Sequence, residues 1–367
     1  MSACDACLRR SALIGFLAAP IAGLLDGGRR APELLALPDE DLIEAVGKGW
    51  HAEARGRIER FDPNARRLEV EEAGLFAICV HDGAYPASLT DLGDAPVVLY
   101  GAGSQARLAE LLEEPAVAIV GARRASAYGL EVARELGRGL SAARVTVVSG
   151  LALGIDAAAH RGAVDAGCNT IGVLACGAER AYPRTNRAVY DRMVAGGAVV
   201  AELPPGTEPR RWTFPARNRI MAGLTRVTVV VEAAERSGSL ITARFAEDIG
   251  RDVGAVPGRV TTRMAAGSNR LLYEGAHFIR DAADVLDLLF GAGARREPPS
   301  PGPRPAPPLD ASLRRVLDAI EGGSSVEAAA AGLGLGASEA RAALGRLEML
   351  GLVRRDGLGA YERAVAP

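Results

Sequence analysis

The hydrophobic pattern between residues 115 and 290 predicts strands that alternate with helices. Seven short runs of consecutive apolar residues are typical of strands buried on both faces. They are Val117–Val120, Val145–Ser149, Thr170–Ala175, Ala198–Glu202, Val227–Glu232, Val253–Pro257 and Ala276–Ile279. Stretches with helical periodicity separate them, among them Gly129–Ala143, Asp156–Ala166 and Ser239–Gly250. We expect a Rossmann-like α/β fold with a doubly wound parallel sheet, which binds ligands beyond the carboxyl ends of its strands.

The pattern before this segment is mostly helical. Helical stretches within residues 1–75 predict a small N-terminal helical module: Leu8–Leu25, Ala31–Leu37, Asp39–Val46 and His51–Arg60. Residues 76–100 look extended, and we expect them to connect this module to the sheet.

A proline-rich segment separates the C-terminal part of the chain. Seven of the 18 residues in Gly291–Pro308 are proline, which predicts a semi-rigid linker. Residues 309–367 then show three helical stretches and two short extended runs, the pattern of a winged-helix domain. The stretches are Ala311–Glu321, Val326–Leu333, Ser338–Gly351, Leu352–Arg355 and Ala360–Ala364.

Composition and charge narrow the class of partner. The chain is 49% hydrophobic and 24% charged, which is ordinary for a globular protein. Its apolar runs are shorter than the ~20 residues of a membrane span, so we expect a cytoplasmic protein with no membrane contact. Residues 115–290 carry 22 basic and 17 acidic groups, whereas residues 1–114 carry 11 and 19. A basic middle segment in an acidic chain indicates an anionic partner.

The cysteines do not by themselves indicate a metal or a disulfide framework. Cys4 and Cys7 form a C-x-x-C, but a zinc site needs a second pair of ligands, and the four histidines show no metal spacing. We therefore expect no metal site and no cofactor, with Cys4 and Cys7 simply entering a helix.

Three turns could hold an anion. Gly121 and Arg123 follow the first strand of the sheet, Ser149 and Gly150 end the second, and Ser237-Gly238-Ser239 opens a helix whose backbone N–H groups would be free. Each could equally be an ordinary structural turn. We interpret Asp156 as a helix cap and His160 as a packed residue.

The most informative segment runs from Pro204 to Ala222. It carries four arginines, Arg210, Arg211, Arg217 and Arg219, interleaved with Trp212 and Phe214. Guanidinium groups contact phosphates and aromatic rings stack on bases, so this pattern is typical of single-stranded nucleic-acid binding. The alternative is a solvated basic loop whose aromatic residues pack on the domain.

Several motifs, in this order, resemble the DNA-processing protein A family (DprA, also called Smf). They are VAIVGARRASAYG, VSGLALGIDAAAH, AYPRTN, ELPPGTEPRRWTFPARNRIMAGL, VVVEAAERSGSLITA, AVPG and GSNRLLYEGA, within residues 116–277. The resemblance implies an extended Rossmann domain over residues 76–290, preceded by a SAM-like module over residues 1–75 and followed by a winged helix. It also implies a homodimer that binds single-stranded DNA without sequence preference and loads RecA onto it during natural transformation, without enzymatic activity.

Carried onto this sequence, the family's DNA contacts fall on residues in three of its motifs. They are Gly121, Arg123, Ser149, Gly150, Arg211, Phe214, Arg217, Asn218 and Arg219. The alternative function is a nucleotide-processing enzyme of the related phosphoribohydrolase class, whose signature is P-G-G-x-G-T-x-x-E. The nearest segment, Pro204–Glu208, lacks that run of glycines.

Overall fold

The computed structural model describes residues 3–26, 34–293, 310–321, 332–349, 352–355 and 361–363, which belong to two compact units. The first unit is Met1–Pro299 and the second is Ser300–Pro367. Most of the expected proline-rich linker lies outside the described residues, and the domain limits expected from the sequence stay predictions.

The described N-terminal residues are helical, as the pattern predicts. The helices are α1 (Asp5–Phe16), α2 (Ala18–Asp26), α3 (Asp39–Ala45), α4 (Lys48–Glu59) and α5 (Pro63–Glu72). The expected stretch Ala31–Leu37 lies partly outside the described residues. The sequence analysis missed α5, although Asp62 accepts hydrogen bonds from the N–H groups of Asn64 and Ala65, and a proline in the first turn marks its start.

A nine-stranded mixed sheet forms the centre of the first unit. The strands are β1 (Leu75–Cys79), β2 (Val98–Gly103), β3 (Ala116–Val120), β4 (Thr146–Ser149), β5 (Thr170–Leu174), β6 (Ala198–Ala201), β7 (Val227–Val230), β8 (Asp252–Ala255) and β9 (His277–Phe278). Their order is β1-β2-β6-β5-β4-β3-β7-β8-β9.

The seven predicted strands are present as β3 to β9, and they are parallel to one another. The expectation for residues 76–100 is wrong, because this segment is not a simple connector. Residues of β1 and β2 pair antiparallel with each other, and β2 pairs antiparallel with β6. The sheet is therefore mostly, not wholly, parallel.

Helices cover both faces of the sheet. They are α6 (Gln105–Glu113), α7 (Ala127–Ala142), α8 (Ile155–Asp165), α9 (Arg187–Gly196), α10 (Thr213–Leu224), α11 (Ser239–Asp248), α12 (Ala266–Tyr273) and α13 (Ala282–Phe290). In β4, Val147 packs in the cluster that contains α7 and α8, whereas Val148 packs in the cluster that contains α10 and α11. Neighbouring residues of a strand thus bury side chains in two separate layers.

The strand order creates a switch point beside β3. From β3 the chain adds β4, β5 and β6 on one side, and it then places β7 on the other side of β3. The loops that leave the carboxyl ends of β3 and β7 consequently diverge. In doubly wound sheets this divergence leaves the crevice where ligands bind.

The described residues of the second unit comprise two helices and a hairpin around a small apolar core. These are α14 (Ala311–Glu321), α15 (Ala337–Met349), β10 (Val353–Arg355) and β11 (Tyr361–Arg363), with β10 and β11 antiparallel. Most of the expected helix Val326–Leu333 lies outside the described residues, so the winged helix stays a prediction. Among the described helices of both units, none combines the length and apolar character needed to cross a membrane.

Candidate functional site

A cleft of about 460 Å³ opens at the carboxyl ends of the strands, beside the switch point. We call it the central cleft; its walls come from the loops after β3, β4 and β7 and from the starts of α10 and α11. Nine of the residues selected from the sequence line it: Gly121, Arg123, Arg211, Phe214, Arg217, Asn218, Ser237, Gly238 and Ser239. Residues separated by more than 100 positions in the chain therefore meet at one surface.

Phe214 and Arg123 form a stacked pair in the wall of the central cleft. The Arg123 guanidinium carbon lies 4.7 Å from the centre of the Phe214 ring, within the range of a cation–π contact. Phe214 also contacts Tyr182, with ring centres 5.9 Å apart and the rings tilted by 48°. Gly150 lines a smaller adjoining hollow, whose wall also includes Arg123, Phe214 and Tyr182.

Tyr182 is a site residue that was not predicted from the sequence. The tyrosine is 41% exposed, and it extends the aromatic surface of Phe214. Its motif, AYPRTN, was recognised, but the linear sequence gives no sign that this segment lies against the start of α10.

Arg217 lies at the floor of the central cleft and is only 6% exposed. One of its terminal nitrogens donates to the carbonyl of Val173, while its Nε has no hydrogen-bond partner among the described residues. Burial lowers the pKa of Arg217 to about 10, and the nearby Asp156 carboxylate opposes the shift. The guanidinium therefore stays charged at neutral pH and retains donor capacity.

Gly150 and Asp156 shape the space around Arg217. A Cβ atom at Gly150 would overlap the guanidinium, so a larger residue here would displace the Arg217 side chain. Asp156 accepts a hydrogen bond of 3.1 Å from the Gly150 N–H. Burial raises the pKa of the Asp156 carboxyl, and the charge of Arg217 acts against the rise. The interpretation of Asp156 as a helix cap is wrong, because Gly154 is the N-cap residue of α8.

The loop that carries Arg123 is held by Glu232, at the end of the β7 segment. The Glu232 carboxylate accepts a bond of 2.8 Å from the Ser126 N–H, and the Glu232 carbonyl accepts one of 2.7 Å from the Ala122 N–H. Arg123 is exposed between these two anchors. Its backbone is thus positioned while its side chain remains accessible.

The sequence predicts free backbone N–H groups at the start of α11, and the structure differs from this prediction. The Ser239 N–H donates to the Ser237 hydroxyl at 3.4 Å, and the Leu240 N–H donates to the Ser237 carbonyl at 3.2 Å. These amides are therefore not free, because the turn uses them internally. The Asn218 side chain donates to the Gly238 carbonyl at 3.2 Å and ties this turn to α10. The Ser237 and Ser239 hydroxyls also bond to each other, at 2.7 Å, beside the central cleft.

Three residues selected from the sequence do not line the central cleft: Gly150, which lines the adjoining hollow, and Arg219 and Ser149, which are buried. Arg219 is 1% exposed, and its guanidinium bonds to the carboxylates of Asp94 and Glu202 at 2.6–2.9 Å. Positions two apart lie on different faces of a helix, so Arg219 points away from the face that carries Arg217. Ser149 is also buried, and its hydroxyl donates to the Ile119 carbonyl at 2.6 Å.

Trp212 and His160 are structural residues. The Trp212 indole packs in a core with the N-terminal helices and donates a bond of 2.8 Å to the Ala18 carbonyl. Of the two aromatic residues in this segment, only Phe214 reaches the central cleft. His160 is buried, with its Nδ1 at 2.8 Å from the Thr170 hydroxyl, and burial lowers its pKa to about 3. It is packed, as the sequence analysis expected.

Outside the central cleft, the sequence-based premise that Cys4 and Cys7 have no second pair of potential ligands is wrong. Cys79 and His81 lie beside Cys4 and Cys7, and they supply the second pair of potential ligands that the sequence did not reveal. The pairing depends on β1, which was not recognised as a strand.

The protein is thus an α/β protein with a mostly parallel sheet, whose switch point carries a cleft lined by three arginines and the half-buried Phe214, a set of side chains suited to an anion. Residues 76–290 match the family described as DNA recombination-mediator protein A, and the chain belongs to that family. The DNA processing protein DprA of Bacillus subtilis is 38% identical over 240 residues, which cover 65% of this chain and 80% of that protein.

Two solved structures show the same likeness. The X-ray structure of DNA processing protein A from Streptococcus pneumoniae aligns with a TM-score of 0.62 at 34% identity, over 78% of this chain and 98% of that one. DNA processing protein A from Helicobacter pylori, described for its single-stranded DNA binding mode, aligns with a TM-score of 0.52 at 29% identity. That alignment covers 58% of this chain and 95% of the other.

Proposed function

We propose that this protein binds single-stranded DNA without sequence preference in the central cleft. The observation that carries the proposal is the Arg123–Phe214 stack, with Arg211 and Arg217 lining the same cleft. Guanidinium groups bind phosphates, and an aromatic face stacks on any base. Neither contact depends on base identity. Stacking does require an unpaired base, because in a duplex the neighbouring base pairs cover both faces.

The contacts divide by chemistry among the residues of the central cleft and of the adjoining hollow. Arg123, Arg211 and Arg217 bind phosphate oxygens, Phe214 with Tyr182 stacks on bases, and the hydroxyls of Ser237 and Ser239 bond to the backbone. Gly121 and Gly150 leave room for Ile155 and Arg217, against which a Cβ atom at either position would press. Arg219 and Ser149 are left out of this set, because their polar groups are already used inside the protein.

The relatives support the same function. The Helicobacter pylori protein is described for single-stranded DNA binding, and the family is described as a recombination mediator. We infer that this chain acts likewise as a homodimer that loads RecA onto incoming DNA in natural transformation. Sedimentation at micromolar concentration tests the dimer. RecA assembly on DNA coated with single-strand-binding protein tests the loading, and unchanged RecA kinetics would contradict it.

The test of DNA binding compares single-stranded and double-stranded oligonucleotides of several sequences across a salt series. We expect tighter binding to single strands, similar affinity for different sequences, and a logarithmic salt slope of about −0.7 per neutralised phosphate. A flat salt response or a preference for duplex would contradict the proposal.

We also infer that the protein is not an enzyme. The alternative, a phosphoribohydrolase, would release free base from nucleoside monophosphates. Incubation with each of these nucleotides, followed by chromatography, distinguishes the two functions. We expect no release of free base. Release of base that is lost when residues of the central cleft are substituted would support the enzymatic function.

A further inference from the structure

Three thiols and an imidazole meet where the first helix joins the edge of the sheet. We call Cys4, Cys7, Cys79 and His81 the cysteine–histidine cluster. Their four potential ligand atoms all lie within 4.8 Å of one another. The His81 Nδ1 is 3.5 Å from the Cys4 Sγ and 3.4 Å from the Cys7 Sγ.

The chain brings these side chains together from two distant segments. Cys4 immediately precedes α1, and Cys7 lies in its first turn. Cys79 is the last residue of β1, and His81 follows two positions later. The Ala3 N–H donates to the Ala77 carbonyl at 3.1 Å, so backbone pairing sets the start of the chain against β1. The cluster thus rests on two regular elements.

We propose that the cysteine–histidine cluster binds a structural zinc ion. Zinc takes four ligands in a tetrahedron, with Zn–S near 2.3 Å and Zn–N near 2.0–2.1 Å, which places sulfur and nitrogen about 3.6 Å apart. The two sulfur–nitrogen distances here, 3.5 and 3.4 Å, differ from that value by only about 0.1–0.2 Å. Two of the six donor–donor distances thus already match a zinc site, and none of the six exceeds 4.8 Å.

The donor set also fits zinc rather than a hard cation. Thiolates and imidazole favour zinc, whereas magnesium and calcium require oxygen ligands. Three cysteines and one histidine complete a closed, four-coordinate structural site. On binding, each thiol releases its proton and the imidazole coordinates in its neutral form, so the site carries a net charge of −1. The Cys4 N–H, 3.4 Å from the Cys79 Sγ, helps to stabilise that charge.

The position of the cluster gives zinc a structural role. Cys7 and Cys79 are only 5% and 2% exposed, while His81 is exposed and leaves a route for the metal to enter. The far half of α1, with Leu13 and Ile14, packs in the same core as Trp212. Zinc would fix the start of α1 to β1, and α1 in turn supports the segment that carries Arg211 and Phe214.

Metal content of the full-length protein tests the proposal directly. After reconstitution with zinc and removal of excess metal, we expect elemental mass spectrometry to find one zinc ion per chain. The Cys4→Ser/Cys7→Ser variant should lose it, whereas Cys168→Ser, at a cysteine outside the cluster, should retain it. Substoichiometric zinc in the parent protein, or equal zinc in the double variant, would overturn the proposal.

Variants at His81 separate loss of a ligand from loss of the fold, because this residue is exposed. With Co²⁺ in place of zinc, the parent should show thiolate-to-cobalt charge transfer and the strong visible bands of tetrahedral cobalt. His81→Ala should weaken these bands, and His81→Cys should restore tetrahedral binding. A Cys4–Cys7 disulfide in the purified parent protein, with no metal bound after reduction, would also overturn the proposal.

Discussion

Phe214 contacts both Arg123 and Tyr182 at the edge of the central cleft, where its ring is half-buried. Phe214→Ala should weaken single-stranded DNA binding by about 1–3 kcal/mol, the usual contribution of a base–aromatic stack. The salt slope should change little, because the variant removes no charge. Fluorescence anisotropy across a salt series measures both quantities.

Phe214→Trp provides the control, since it keeps an aromatic face and should bind close to the parent. Thermal unfolding of the same preparations is needed beside the binding curves. If Phe214→Ala binds like the parent, or loses binding only in proportion to unfolding, Phe214 is a core residue and not a stacking platform.

Arg211 and Arg210 form a matched pair of neighbouring exposed arginines, of which only Arg211 lines the central cleft. Arg211→Ala should lower affinity and make the logarithmic salt slope shallower by about 0.7, because one phosphate contact is lost. Arg210→Ala removes the same charge at a greater distance, so its salt slope should match that of the parent. Equal salt slopes for the two variants would show that Arg211 makes no phosphate contact that Arg210 lacks.

Substitution of Arg219 should lower stability rather than DNA affinity. Arg219→Ala leaves the carboxylates of Asp94 and Glu202 buried without their partner, which typically costs about 3–5 kcal/mol. We expect the free energy of unfolding, measured in urea, to fall by that amount, while the folded fraction keeps its DNA affinity. Normal stability with lost affinity would place Arg219 in the binding surface after all.

The difference between Arg217 and Arg219 shows how far sequence analysis reaches at this scale. Composition identifies the segment because it is rich in arginine and contains aromatic residues. It cannot assign each arginine to cleft or core, because that depends on the carboxylates of Asp94 and Glu202, which other parts of the chain supply. Trp212 and Phe214 pose the same problem, and only their packing distinguishes them.

At the scale of elements, the strands from β3 to β8 could be predicted because both of their faces are almost entirely buried, which leaves an unbroken apolar run in the sequence. The strand β9 was predicted as buried too, but both of its residues are exposed. The strands β1 and β2 were harder to recognise, since they pair antiparallel at one side of the sheet and flank a turn-rich segment. The helix α10 was also missed, because its polar residues conceal its periodicity. Arg217, Asn218 and Arg219 are buried there only because other elements supply their partners.

The loop after β3 depends on Glu232, and this dependence can be tested. Glu232→Ala removes the carboxylate that accepts from the Ser126 N–H, and a hydrogen bond to a charged group contributes about 1.5–3 kcal/mol. We expect faster amide exchange across residues 122–130 and weaker DNA binding, because Arg123 loses its support. Glu232→Gln keeps an acceptor oxygen and should preserve most of the protection. Equally slow exchange in both variants would contradict this role.

At the scale of the whole molecule, the excess of basic residues and the central cleft lie in the same part of the chain. Residues 115–290 are net basic, residues 1–114 are net acidic, and the segment after residue 290 is nearly neutral. The sequence already indicated this division, since it requires only counting. It could not show that loops after three different strands meet in a single cleft, which follows from the order of the strands.

Hydrogen–deuterium exchange of the full-length protein, with and without an oligothymidine, tests the proposed binding surface most directly. We predict that DNA slows exchange in three separate segments that border the central cleft, residues 120–126, 211–218 and 237–242. The described helices of the second unit, α14 and α15, should show no comparable change. Protection confined to that unit, or to the N-terminal helices, would contradict the assignment of DNA binding to the central cleft.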